Sequence, residues 1–156
     1  MRVAPKQIPP EGKSFSGEEP SRILELGPGG EVVFEGPIRY KVRVVVVSGE
    51  VVVLGKMAAR ATFRCSRCAE PFPQDVTDVP LECSIPVPDL DQSVDLTPEM
   101  RESMLLALPA HPVCSSGCKG LCPQCGTNLN KERCNCSPRI AAGWEALNNL
   151  KLKTRK

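Results

Sequence analysis

With 156 residues, 41% of them hydrophobic and 24% charged, the chain is long enough for one packed core and too apolar for a disordered segment. Its net charge is only +2 but is unevenly spread: +4 over residues 1–69, −8 over residues 70–102 and +6 over residues 103–156. No stretch approaches the ~20 apolar residues needed to span a bilayer, and residues 1–10 contain no apolar run. Neither a membrane span nor a secretory leader is therefore expected, and a cytoplasmic location follows.

The predicted elements begin with an extended lead-in over residues 1–20. Residues 21–110 form a β-rich domain. Ile23, Leu26, Val32 and Phe34 lie in short apolar segments broken at residues 27–30 by glycine and proline. Tyr40, Val42, Val44 and Val46 alternate with Lys41, Arg43, Val45 and Val47, and Ser48-Gly49 separates two valine-rich runs as a hairpin would. Gly55-Lys56 offers a further turn before residues 57–64. Another strand is expected over residues 75–86. Within it Cys83 alternates with Leu81 and Ile85, as a core thiol would.

Residues 86–96 are acidic and proline-rich, hence a loop. A helix near residues 97–108 follows, with Thr97 as N-cap, Pro98 in the first position and Met100, Met104 and Leu108 on one face. Residues 111–156 are a cysteine-rich segment closed by a second helix over about residues 138–152, packed on the β domain. The fold class expected is α+β: an antiparallel β-rich domain, a small barrel or sandwich, with two helices and zinc knuckles.

Eight of the nine cysteines fall into four pairs: Cys65 with Cys68, Cys114 with Cys118, Cys122 with Cys125, and Cys134 with Cys136. In a reducing compartment such pairs are metal ligands rather than disulfides. Zinc takes four soft ligands in a tetrahedron, and a two-residue gap lets both sulfurs of a pair reach one ion. Gly126 directly follows Cys125, so that turn can adopt positive φ and aim amides at sulfur. The simplest partition is two zinc ions, each held by four cysteines: Cys65, Cys68, Cys114 and Cys118 in one site, Cys122, Cys125, Cys134 and Cys136 in the other. A single ion with spare thiols is the alternative. His111, the one histidine, could substitute for Cys114 as a ligand, but four-cysteine sites are complete without it and a loop histidine beside Pro109 and Pro112 is the plainer reading.

These residues resemble the YceD family, the large ribosomal RNA subunit accumulation proteins. The resemblance is carried by Cys65-Ser66-Arg67-Cys68-Ala69-Glu70-Pro71-Phe72, by Val94-Asp95-Leu96, by Leu105 to Pro109 and by Pro112-Val113-Cys114. Its most specific part runs from Cys118-Lys119-Gly120-Leu121-Cys122-Pro123-Gln124-Cys125-Gly126 through Thr127-Asn128-Leu129-Asn130 to Cys134-Asn135-Cys136. It covers about residues 40–152. Ser137 departs from the aspartate the family often carries there. The resemblance implies a role in ribosome biogenesis and no catalytic residues.

Two functions fit. In the first, a non-enzymatic zinc-binding factor promotes accumulation of large-subunit ribosomal RNA by binding RNA or a pre-ribosomal particle. Lys119, Lys131, Arg133 and Arg139 are then the candidate phosphate contacts. In the second, zinc is purely structural and the protein is an adaptor, its acidic stretch over residues 70–102 docking a basic partner such as a ribosomal protein. An enzyme is disfavoured: one histidine supports no nucleophile–base pair, there is no phosphate-cradling glycine loop, and complete four-cysteine sites leave zinc no open position. No small-molecule substrate and no membrane partner are expected.

Overall fold

The computed structural model describes residues 1–27 and 30–136. Strands β1 (Arg2–Val3), β2 (Lys13–Glu19), β3 (Val32–Phe34), β4 (Ile38–Val47), β5 (Glu50–Arg64), β6 (Pro71–Pro86) and β7 (Val94–Asp95) precede helix α1 (Thr97–Leu106). Short 3-10 turns occupy Pro5–Gln7 and Ser21–Leu24. The segment expected as a bare lead-in is thus part of the fold, since β2 pairs with β4 along its whole length.

The hairpin at Ser48-Gly49 is borne out. Val47 pairs with Glu50 across it, and both turn residues have positive φ, 50° and 82°. That is the geometry of a two-residue type I′ turn, whose twist matches that of the flanking strands. All pairings are antiparallel, and the main sheet runs β2-β4-β5-β6, with β3 beside the far end of β5 where β4 no longer reaches.

The expected barrel or sandwich is corrected: among the described residues the main sheet is five-stranded and open, with β2 and β6 as unjoined edges, and β1 pairs with β7 in a separate two-stranded sheet. The physical reason lies in the alternation. Val42 and Val44 on β4 and Val51, Val53, Met57, Ala59, Ala61 and Phe63 on β5 all point to one buried face. The other face carries charge, so nothing requires a second sheet to cover it. The buried face is closed instead by Leu24 of the second 3-10 turn, Val3 of β1, Leu96, and Met100 and Met104 of α1. Cys83, opposite Val53, is half-buried at the edge of this core; burial, and then the charge of Glu99, push its thiol pKa up.

Gly55 is not a turn. β5 runs through it without a break, because the β4 backbone passes too close for any side chain. A Cβ there would lie 2.3 Å from the Lys41 carbonyl oxygen and 2.5 Å from Val42 Cα. Both are backbone atoms, so Gly55→Ala must push the strands apart and is expected to cost about 1–3 kcal/mol. A denaturant titration checks this: an unchanged midpoint would show that the strands have room. Further along, β6 bulges between the pairs Met57–Val79 and Ala59–Val76, with Asp78 at φ 55°. The extra residue restores Val76 to the inner face after Val79, three positions away.

Helix α1 lies within the residues 97–108 expected, but its cap differs. Thr97 is its first residue, and Asp95 accepts both the Thr97 amide (3.0 Å) and the Thr97 hydroxyl (2.6 Å). α1 is the one α-helix among the described residues. The second helix expected, over about residues 138–152, lies outside them.

Candidate metal centres

The end of β5 delivers Cys65, and the chain turns immediately at Cys68 before β6 returns. The turn closes through the Ala69 amide on the Cys65 carbonyl (2.9 Å) and the Cys65 amide on the Glu70 carbonyl (2.9 Å). The Cys122–Cys125 turn repeats the design, with the Gly126 amide on the Cys122 carbonyl (2.9 Å). In each knuckle the residue after the second cysteine has positive φ: 59° at Ala69 and 74° at Gly126. An alanine in that region is strained by roughly 1 kcal/mol, so Ala69→Gly should raise the thermal midpoint by a few degrees without changing the metal content. A lower midpoint would contradict this reading of the turn.

After α1 the chain comes back to the first knuckle. The Ser66 amide donates to the Pro112 carbonyl (2.8 Å), the Leu121 amide to the Arg67 carbonyl (3.0 Å), and Arg67 Nη1 to the Cys118 carbonyl (3.2 Å). Gly120, at φ 77°, allows this approach: a Cβ on it would meet the Arg67 carbonyl oxygen at 3.1 Å.

These contacts bring eight cysteines into two sets, Cys65/Cys68/Cys114/Cys118 and Cys122/Cys125/Cys134/Cys136. Within each set all four sulfurs lie within 4.8 Å of one another. In the first set Cys65–Cys118 and Cys68–Cys114 are 3.9 and 3.8 Å apart. Disulfide sulfurs are ~2.05 Å apart. A tetrahedron with metal–sulfur bonds of ~2.3 Å has edges of about 3.8 Å. The spacing is that of a four-thiolate metal site, and two such tetrads can hold metal ions. Cys65, Cys68 and Cys118 are buried, with Phe72 packed against them, and Phe72 lies 6.2 Å from the fully buried Phe63. The first tetrad is therefore joined to the main core through Phe72, with Cys114 exposed, whereas the second has Cys122 buried and Cys125 exposed and no such link.

Electrostatics divides each tetrad. The Cys114 amide (N–Sγ 3.4 Å) holds the Cys65 thiol pKa down at about 6. Against burial, the Gly120 amide and Asn130 hold Cys118 down. Burial and the neighbouring thiols push Cys114 up to about 12, and against the Glu70 amide they raise Cys68. In the second set, hydrogen bonding to Thr127 lowers Cys125 to about 6, and the Cys125 and Gln124 amides lower Cys122. The Cys125 thiolate and burial push Cys136 up to about 12, and against the Cys136 amide the Cys122 thiolate raises Cys134.

Several supporting residues carried no assigned role in the sequence. Asn130 donates to Cys118 Sγ (3.4 Å) and accepts the Lys119 amide (2.8 Å), and Asn128 accepts from the Asn130 amide (3.0 Å). The Thr127-Asn128-Leu129-Asn130 run after a knuckle is the one signal that pointed to them.

Of the candidate phosphate contacts, Lys119 and Arg133 are exposed, and Arg139 lies outside the described residues. Lys131 is exposed too, and its ammonium is paired with Glu70 (2.6 Å), which links the loop of the second tetrad to the first knuckle. Five of the nine carboxylates over residues 70–102, Glu70 among them, are also paired with cations of this chain. Asp75 meets Arg60, Asp78 meets Lys56, Asp91 meets Lys6 and Asp95 meets Arg2.

The family described as large ribosomal RNA subunit accumulation protein YceD matches residues 77–151. An uncharacterized protein of Mycobacterium tuberculosis is 33% identical over 67% of this chain and 58% of its own length. One of Mycobacterium leprae is 30% identical over 73% and 59%. A chloroplastic large ribosomal RNA subunit accumulation protein of Zea mays is 26% identical over 89% and 64%. The chain thus spans under two thirds of the length of these relatives. No solved structure matches it. None of the described helices is long and apolar enough to cross a membrane. Through the matched residues and the relative named for it, the chain belongs to the YceD family.

Proposed function

We propose that the protein is a non-enzymatic, zinc-organised factor that promotes accumulation of large-subunit ribosomal RNA, acting in the cytoplasm by binding RNA or a pre-ribosomal particle. The observation that carries this reading is the pair of four-cysteine sets in a chain of a family named for that accumulation. Zinc is the metal that four thiolates at this spacing suit best, and with four ligands it keeps no open position for a substrate. Its role is to hold the segment after α1 against the sheet, so that Lys119 and Arg133 stand beside the knuckles.

The adaptor reading has less support. The carboxylates it would need are mostly engaged with lysine and arginine of the same chain.

Crosslinking of the tagged protein in growing cells, with sequencing of the bound RNA, tests the proposal. The expected result is enrichment of large-subunit ribosomal RNA or its precursors, lost when Cys122 and Cys125 are changed to serine. Absence of enrichment above background, with the protein soluble and folded, would transfer the role to protein contacts.

A further inference from the structure

The charged face of the sheet is not used by the metal centres. Along β4 its outward residues include Arg39, Lys41 and Arg43, all exposed. On β5 they include Lys56 and Arg60, and on β6 Asp75, Asp78 and Glu82. The sheet is electrically graded, with cations on the inner strands and anions on the β6 edge.

The pairing is uneven. Lys56 is bound to Asp78 (2.8 Å), and Arg60 to Glu35 (3.2 Å) and Asp75 (3.6 Å). Among the described residues Arg39, Lys41 and Arg43 have no carboxylate within ion-pair distance; Arg43 donates only to the Glu11 carbonyl. Glu18 is the cross-strand neighbour of Arg39 without pairing to it. Lys41 stands directly opposite Lys56, a like-charge arrangement that an anion would relieve. Ala58, opposite Arg39, leaves a shallow depression bordered by Arg39, Lys41, Lys56 and Thr77, with the one carboxylate beside it, Asp78, held by Lys56.

Resting on the function proposed above, we infer that the row Arg39, Lys41 and Arg43 is where the phosphate backbone of single-stranded RNA crosses the protein. Alternate residues of a strand lie ~6.8 Å apart on one face, a pitch on the scale of successive phosphates. The apolar side chains of this face, Val47 and Leu54 with half-buried Val45 and Val52 between them, gather at the hairpin end beyond Arg43, and Val33 stands apart on β3, so Arg39 and Lys41 lie outside that group. The row offers charge without aromatic platforms, so it holds backbone and reads no sequence.

The test uses the full metal-loaded chain and a fluorescein-labelled oligouridine of about 16 nucleotides, with anisotropy read across a salt series. R39Q/K41Q/R43Q should weaken binding about tenfold or more and reduce the slope of log affinity against log salt by about two, since each phosphate contributes ~0.7. Its thermal midpoint should match the parent's. Lys41→Gln alone, a milder change, should reduce the slope by about 0.7. If the parent binds and the triple variant keeps its affinity and slope while K119Q/R133Q loses them, the sheet site is overturned and the proposed function stands. If the parent binds no RNA but retains polyglutamate through the row, both fail and the face is a protein-docking surface.

Discussion

Replacing Cys65 and Cys68 by serine should cost the chain one metal ion and release the segment after α1 from the sheet. The same change at Cys134 and Cys136 should cost one ion while leaving Pro112 and Cys114 anchored. The asymmetry follows from where the two tetrads sit. The first joins the end of β5 to a segment that returns only after β6 and α1, and it touches the core through Phe72 and Phe63. The second is assembled from residues 122–136 alone. Metal binding in small zinc domains is worth about 10–16 kcal/mol of coupled folding free energy, as large as the whole stability of an ordinary domain, about 5–15 kcal/mol. Hydrogen exchange of the Ser66 and Leu121 amides reads the outcome directly, because their acceptors, Pro112 and Arg67, lie across the junction. Fast exchange is expected in the Cys65/Cys68 variant, with the sheet still protected. Equal protection in both variants would mean that the hydrogen bonds, not the metal, hold the junction.

Metal affinity should rise about 100-fold or more per pH unit between pH 7 and 8 at each site. Two thiols of each tetrad are pushed up, with Cys114 and Cys136 at about 12, so near neutrality the metal must displace at least these two protons, each worth a factor of about ten per pH unit. The sign is fixed by competition: protons and metal compete for the same sulfurs, so removing protons favours the metal. As the pH falls through about 6, Cys65 and Cys125 also gain protons and the dependence steepens. Competition with a chromophoric chelator across this range gives the slope. A slope near zero would contradict the division of each tetrad into two lowered and two raised thiols.

Much of the architecture was legible because local chemistry dictates it. Ser48-Gly49 between valine runs specifies a type I′ hairpin, and a two-residue gap specifies a knuckle. Pairing the cysteines by proximity in sequence was enough to anticipate both tetrads, since the return of the chain from α1 needs only one long closure. The sheet's openness was not legible: alternation says that one face is buried, but closure depends on whether the edges β2 and β6 meet. Gly55 misled for a related reason. Glycine marks both turns and close backbone contacts, and only the distance to Lys41 and Val42 separates them. The Glu70–Lys131 pair joins residues far apart in sequence, so no local pattern announces it.

Native mass spectrometry of the chain purified without added metal tests the central claim most directly. Two zinc ions per chain are expected, falling to one in the Cys65→Ser/Cys68→Ser variant and to one in the Cys134→Ser/Cys136→Ser variant. A single ion per chain, none, or a metal other than zinc would contradict the account of two independent four-thiolate zinc centres.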